Sequence, residues 1–334
     1  MKPVADFPYS GVAGCWHPLL ASRDLTTKPV AVSLMGMPLV LARLDGQPRL
    51  FSDRCPHRLI PLSQGFIASD QLVCPYHGWA FDAAGQLQHT PGTARCRTHA
   101  KLEAYPLVER DGLLWTRLQD GQDSPLGYSD LPDYVYASAY RRLPCNFFQS
   151  IENFLDPCHT PYVHKGLLRN RGAQQMATSQ SVHDGGFRTE FTLTQQQNGW
   201  INRLFDPGVD VNVGRFDLPG RVELDYLKQG KILLRVVLFF VPRSDRETGM
   251  FARLYAPKSW LPASLRFALF KPFAETLFRQ DRAMLMQQQQ AVDTFGEHYR
   301  FAETDIVARP LWALLHGQPA KAGADITLDV EAGQ

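Results

Sequence analysis

The sequence predicts an α+β chain in two parts: an all-β N-terminal domain, then a domain in which helices pack on an antiparallel sheet. Two observations predict it. From about Gly11 to Leu118, short apolar runs are broken by Gly, Asp and Pro, whereas longer mixed elements follow Asp133. Between them lies a polar segment, Gln119 to Asp133, rich in Asp, Gly, Ser and Pro. Such composition marks a domain boundary. The expected domains are residues 1–120 and 121–334, each long enough to bury its own core.

In the first part, Pro29 to Leu34, Pro38 to Leu44, Leu72 to Val73 and Leu113 to Leu118 read as strands. Asp45-Gly46 and Asp111-Gly112 are favoured hairpin dipeptides. In the second part, Asn146 to Leu155 leads into a His-containing segment. Phe187 to Thr194, Val222 to Leu227, Ile232 to Val241 and Phe251 to Tyr255 read as strands. Leu265 to Val292 reads as one long helix, interrupted early by Pro272.

Composition excludes several classes. The 35 Lys and Arg nearly balance 33 Asp and Glu, so no nucleic-acid partner or acidic tail is implied. The N-terminal MKPVADFPYS lacks the apolar core of a secretory signal. The longest clean apolar run, Val236 to Val241, is far too short for a membrane span. The six cysteines therefore suggest metal ligation in a reducing, cytoplasmic setting rather than disulfides.

One constellation concerns four of those ligand-type residues. The sequence reads FSDRCPHRLIPLSQG from Phe51 and VCPYHGWAFD from Val73. Cys55 and His57 form one pair, and after sixteen residues Cys74 and His77 form another. Zinc accepts two thiolates and two imidazoles in a tetrahedron. A Rieske [2Fe–2S] cluster places both thiolates on one iron and both imidazoles on the other. Common zinc fingers pair like with like, whereas here each loop supplies one Cys and one His, which favours the cluster. Neutral imidazoles raise the potential to about −150 to +300 mV, within reach of reduced flavin or ferredoxin donors.

The loops CPHR and CPYHGW, followed by FDAAGQL, resemble the Rieske domain of ring-hydroxylating and demethylating oxygenases. One detail departs: Leu59-Ile60 stands where many members carry a small residue such as Gly after the Arg.

The other constellation lies in QSIENFLDPCHTPYVHKG, from Gln149. On an ideal helix His159 and His164 would diverge by about 140°. Pro157 and Pro161 can break the helix and let them converge. Two histidines and one carboxylate with open positions suit Fe(II) and O₂. The carboxylate should be buried, and Asp281 has Leu277, Phe278, Met284 and Leu285 at helical spacing around it. A salt bridge from Asp281 to Arg279 or Arg282 is the plain alternative. The rival acid, Asp293, sits among Gln289, Gln290, Gly296 and Glu297, a solvated face.

NFLDPCHTPYVH is similar to the iron motif of the same oxygenases, and FRQDRAMLMQQQQ to the stretch that carries their third ligand. The resemblance implies His159, His164 and Asp281 as iron ligands. It also implies that Asp156 bridges the cluster of one subunit to the iron of the next in a head-to-tail homotrimer. The plain alternative is that Asp156 caps a helix beginning at Pro157. Asn153 lies near the motif, where similar proteins place a polar residue.

What the resemblance implies is a terminal oxygenase component with a [2Fe–2S] cluster, mononuclear Fe(II) and O₂ as co-substrate. Electrons come from NAD(P)H through a partner reductase or ferredoxin, since no dinucleotide fingerprint follows a strand here. A small organic substrate is monohydroxylated or oxidatively demethylated, the compact chain being similar to single-subunit-type members. Cis-dihydroxylation of an arene is the alternative within the class. A Rieske electron carrier would leave His159, His164 and Asp281 unexplained, and a zinc-stabilised binding module is a further rival.

Other residues are expected to be structural. His17, His89, His99, His183, His298 and His316 lack partners at ligand spacing. Cys15, Cys96, Cys145 and Cys158 read as small buried apolar residues. The aromatic residues from Trp260 to Phe278 read as core rather than a membrane-binding face. Leu204 to Phe216, Val237 to Phe240 and Phe251 to Tyr255 are candidate pocket lining.

Overall fold

The computed structural model describes residues 7–92, 98–121, 124–164, 174–193, 209–323 and 325–330. The chain forms two compact units: Met1–Phe7, Ala13–Gly127 and Val241–Ser244 make the first, and Pro8–Val12, Tyr128–Phe240 and Asp245–Gln334 the second.

The first unit is all-β. Strands β1 (His17–Ala21), β10 (Leu113–Thr116) and β9 (Leu107–Arg110) form one antiparallel sheet, in that order. Strands β2 (Val30–Leu34), β3 (Met37–Leu44) and β4 (Gln47–Ser52) form a second. Strands β5 (Phe66–Ala68), β6 (Gln71–Val73), β7 (Ala80–Phe81) and β8 (Leu87–His89) form a third. Both Asp-Gly dipeptides close two-residue hairpins with positive φ throughout: 51° and 70° at Asp45 and Gly46, 54° and 76° at Asp111 and Gly112. Val40, Phe51, Leu72 and Phe81 pack with Cys55 and Cys74 in one buried core. Each large side chain buried there contributes roughly 1.5–3 kcal/mol. The cysteines therefore stand on the rigid part of the unit.

The second unit is built on one eight-stranded antiparallel sheet. Its strands are β11 (Tyr134–Leu143), β12 (Gln174–His183), β13 (Gly186–Leu193), β14 (Val211–Asp217), β15 (Arg221–Lys228), β16 (Lys231–Pro242), β17 (Thr248–Pro257) and β18 (Thr327–Val330). The spatial order is β11-β17-β16-β15-β14-β13-β12-β18. Helices α1 (Phe147–Leu155), α2 (Thr160–Val163), α3 (Ala263–Phe295) and α4 (Ala308–Leu315) accompany it.

Helix α1 starts on a reciprocal cap in which Asn146 and Gln149 satisfy each other's backbone N–H groups. It lies on the sheet at Gly214, where an added Cβ would approach Leu155 Cδ2 to 3.3 Å. Residues of β16 alternate between faces: Phe240 meets Phe154 of α1 at 5.4 Å between ring centres, and Phe239 meets Tyr128 at 4.9 Å. The candidate pocket run Val237 to Phe240 therefore cannot line one pocket as a block. Of the run Leu204 to Phe216, residues 204–208 lie outside the described residues.

Polar contacts fix α1 against α3. The backbone N–H of Asn146 donates to Gln289 Oε1 at 2.8 Å, and its side chain donates to Glu297, which also accepts from the Tyr9 hydroxyl at 2.6 Å. Gln289 is thus buried, not part of a solvated face.

Three further expectations are corrected. Helix α3 runs unbroken through Pro272. The freed carbonyl lies at Ala268, which is exposed like Pro272, so water can satisfy it. The aromatic stretch from Trp260 is not all core, because Trp260 is 93 % exposed. Cys158 is only half-buried, whereas Cys15 and Cys145 are buried and Cys96 lies outside the described residues.

Candidate cluster and metal sites

The two Cys/His loops repeat one backbone design. In the first, the Cys55 N–H donates to Ile60 O and the Leu59 N–H to Cys55 O, both at 2.8 Å. In the second, the Cys74 N–H donates to Trp79 O at 2.8 Å and the Gly78 N–H to Cys74 O at 3.1 Å. The fourth residue after each cysteine adopts a left-handed turn: φ is 62° at Leu59 and 67° at Gly78. Glycine takes that conformation without strain and leucine does not.

These loops bring all four side chains together. Cys55 and Cys74 are buried side by side, while His57 and His77 meet nearer the surface with ring centres 4.6 Å apart. Trp79 stacks flat on His57 at 4.5 Å, and Tyr76 leans on His77 at 3.9 Å. Burial pushes the Cys55 thiol up to about 11, with the neighbouring Cys74 adding to it, against the opposing N–H groups of His57 and Arg58. Two buried adjacent thiols with backbone donors aimed at one sulfur fit a cationic centre that would hold both as thiolates. Burial, then His77 and Arg58, hold His57 below its ordinary value. Neutral imidazoles are the form that ligates iron.

In the second unit, His159 and His164 bracket α2. His159 ends a turn after Pro157 at φ −71°, ψ −24°, and His164 leaves the helix at φ −105°, ψ 33°. The helix begins at Thr160 rather than Pro157, so Asp156 is not its N-cap. Asp156 instead ends α1 and folds the turn, accepting from the Cys158 N–H at 2.8 Å and the His159 N–H at 3.0 Å.

Asp281 of α3 joins them. It is 7 % exposed, and its Oδ1 lies 3.0 Å from His164 Nε2 and 3.6 Å from His159 Nε2. The three ligand atoms all fall within 4.8 Å of one another. Asp281 Oδ1 is buried yet has no hydrogen-bond partner, so even the 3.0 Å approach lacks hydrogen-bond geometry. A buried carboxylate left so is costly unless a cation stands there. Neither Arg279 nor Arg282 pairs with it among the described residues. The rival Asp293 is engaged by Arg246 at 3.1 Å and by Gln289.

One imidazole is turned by an outer partner: His164 Nδ1 meets Gln280 Oε1 at 2.9 Å, whereas His159 Nδ1 lies 3.4 Å from Asp156 Oδ2 without a hydrogen bond. Each Nε2 is left to face the centre. Burial would raise the Asp156 carboxyl, but contacts from His159 and the Cys158 N–H outweigh it and hold it low. Burial likewise would lower His164, yet Asp281 and Gln280 raise it. Glu152, one turn before Asp156, is pushed up to about 8 by burial and by the charges of Asp156 and Asp305. Gln280 and Glu152 escape a reading of the sequence. The only signal for Gln280 is its place beside Asp281, and for Glu152 its place four residues before Asp156.

A β unit carrying a paired Cys/His site, followed by a helix-on-sheet unit with a two-His, one-carboxylate centre, defines a two-centre iron protein of the oxygenase class. Residues 15–106 match the Rieske [2Fe-2S] domain family, and residues 143–307 match the vanillate O-demethylase oxygenase C-terminal domain family. Together the two matches cover most of the chain, which belongs to the Rieske-type non-haem iron oxygenases. Membership implies two cofactors, a Rieske cluster and a mononuclear iron, and both constellations have the donor sets to hold them.

The chain is 31 % identical over 182 residues to the oxygenase component of dicamba O-demethylase from Stenotrophomonas maltophilia, covering 52 % of this chain and 54 % of that protein. It is 36 % identical over 165 residues to the 5,5'-dehydrodivanillate O-demethylase oxygenase subunit of Sphingobium sp., covering 45 % and 38 %. The matches thus span about half or less of the length of these relatives. Dicamba monooxygenase bound to dicamba shares the fold, with a TM-score of 0.78 and 21 % identity over 91 % of this chain and 96 % of that one. NdmA of Pseudomonas putida CBB5 does so at 0.69 and 22 %, over 93 % and 91 %.

Proposed function

We propose that this chain is a terminal oxygenase that monohydroxylates or oxidatively demethylates a small organic substrate. The single observation that carries it is Asp281 Oδ1, buried without a hydrogen bond between His159 and His164. Cys55, His57, Cys74 and His77 hold the [2Fe–2S] cluster, and His159, His164 and Asp281 hold Fe(II). Residues 1–120 are the cluster domain and 121–334 the catalytic domain.

When bound, the iron would supply O₂ activation and the cluster one-electron transfer. The chain's own residues do the rest. Gln280 keeps the His164 imidazole turned, and Asp156 holds the backbone turn that carries His159. His57 and His77 would hold the cluster on its more exposed side. The electrons originate in NAD(P)H and arrive through a separate reductase or ferredoxin. Asp156 also bridges the iron of one subunit to the cluster of the next in a homotrimer, a reading supported by family membership alone. A reducing compartment, the cytoplasm, suits the thiol ligands.

Metal and sulfide analysis tests this. About three irons and two acid-labile sulfides per chain are expected, with a Rieske resonance after dithionite reduction. Asp281→Ala should retain the cluster and lose about one iron per chain. Two irons that persist in the parent protein after anaerobic Fe(II) reconstitution would instead identify an electron carrier, and zinc without sulfide would overturn both.

A further inference from the structure

The sheet face that carries α1 changes character part-way along β14. Phe147, at the start of α1, lies over Gly220, and Leu155, at its end, lies over Gly214. The helix therefore runs along β14 toward Asn212 and passes into the iron motif at Asp156. Under α1 the face is closed: Phe216, Val222, Leu238 and Phe240 are buried. From Gly214 onward it is not. Leu224 and Val236, level with Gly214, and Tyr226 and Leu234, level with Asn212, are only half-buried.

Asn212 is the polar group of that stretch. It stands between Phe191 and Tyr226 in the sheet, and strand alternation puts it on the face of Gly214. Its Oδ1 is enclosed yet accepts no hydrogen bond. An enclosed acceptor left so is costly until a ligand supplies the donor. Charge is kept to the other face, where Arg215 pairs with Glu223 at 2.9 Å and with Asp225 at 2.6 Å, and Arg235 pairs with Asp225. On the α1 face of β14, β15 and β16, the described residues from Asn212 to Leu224 and Leu234 carry no charge. Lys228 stands only at the margin, beside Asp210, whose Oδ2 takes the Gln229 N–H at 2.7 Å. Such a floor suits an apolar ring, and a neutral one, since an ion laid on it would lose water without gaining a partner.

We propose that Asn212 selects the substrate: its Oδ1 accepts a hydrogen bond from an O–H or N–H group of a neutral ring compound that lies on Leu224, Leu234 and Val236. The proposal rests on the oxygenase reading above and names the class of its substrate.

The test is anaerobic titration calorimetry of the full iron-loaded protein with three probes. Guaiacol is a neutral methoxyarene with an O–H donor, veratrole is its methyl ether without one, and 2-methoxybenzoate is an anion. Guaiacol should bind about tenfold more tightly than veratrole, which leaves the acceptor unpaired, and 2-methoxybenzoate should bind most weakly. N212L should lose guaiacol affinity while gaining affinity for veratrole, a crossover that a merely structural asparagine would not give. N212T, which keeps an accepting oxygen on a residue suited to a strand, should retain the preference. The comparison within the parent protein stands even where N212L fails to fold. Binding of none of the probes, equal affinities of the parent for guaiacol and veratrole, tighter binding of 2-methoxybenzoate, or a preference that survives N212L would each overturn the proposal. Guaiacol bound with the expected preference, but never oxygenated in the presence of reductase, would support the selection by Asn212 and sink the oxygenase reading instead. Oxygenation of guaiacol and veratrole that is indifferent to N212L would do the opposite.

Discussion

His164 Nδ1 and Gln280 Oε1 stand 2.9 Å apart, and the residue after Gln280 is Asp281, whose Oδ1 lies 3.0 Å from the other nitrogen of the same imidazole. One turn of α3 therefore grips both ends of one ring. An amide oxygen can only accept, so His164 donates from Nδ1 and keeps its Nε2 lone pair for the centre.

Gln280→Leu should weaken Fe(II) binding about 10-fold or more, the scale seen when an outer partner of a metal-bound imidazole is lost. Gln280→Glu, which still accepts, should retain most of it. Anaerobic Fe(II) titration of the two variants reads the difference. Equal affinities would remove Gln280 from this role.

Asp156 accepts from two backbone N–H groups and faces His159, while the metal ligands around it are separate residues. Asp156→Asn keeps an accepting oxygen and should retain both metals, yet suppress substrate-dependent NAD(P)H oxidation. Unimpaired turnover with the partner reductase would take Asp156 off the electron path.

Leu59 and Gly78 occupy equivalent left-handed positions in the two ligand loops. The conformation costs a leucine roughly 1–2 kcal/mol, against roughly 0.5–1 kcal/mol of extra chain entropy that a glycine loses on folding. Leu59→Gly should stabilise the first unit by about 0.5–1 kcal/mol. Gly78→Ala should do the reverse, because its Cβ would lie 2.8 Å from Pro91 Cγ. Calorimetric transitions of the holo-protein give both signs, and a destabilising Leu59→Gly would show that the leucine side chain is held by contacts worth more than the strain.

Glu152 offers a pH test. Its folded-state value, pushed up to about 8, lies above that of an unfolded glutamate. The folded state then binds the proton more tightly, so the contribution to stability is complete below the unfolded value, near about 4.3, and is lost as pH rises toward about 8. Glu152→Gln should flatten that decline, with a gain on the order of 4 kcal/mol at about pH 8. Parallel denaturant midpoints across that range would refute the assignment.

Much of the site is legible in the chain itself. Cys55-x-His57 and Cys74-x-x-His77 are local signals, because each loop is closed by hydrogen bonds within six residues and needs nothing distant to form. The hairpins at Asp45-Gly46 and Asp111-Gly112 are legible for the same reason. Asp281 could be picked out because apolar neighbours at helical spacing mark a buried acid, although Met284 among them proves to be exposed. Gln280 carries no such mark, since nothing in its own neighbourhood tells which ring it meets 116 residues away.

By itself, then, the sequence determined the ligand types, their pairing and the strand and turn periodicities, all of which depend on contacts within a few residues. Tertiary structure alone decided that α3 passes unbroken through Pro272, because the proline happens to face outward. It alone decided that Asp156 folds the turn of its own iron motif rather than capping a helix. It also left Trp260, Leu265 and Leu269 uncovered. Burial is a property of what packs against a residue, and no spacing along the chain encodes the partner that fails to arrive.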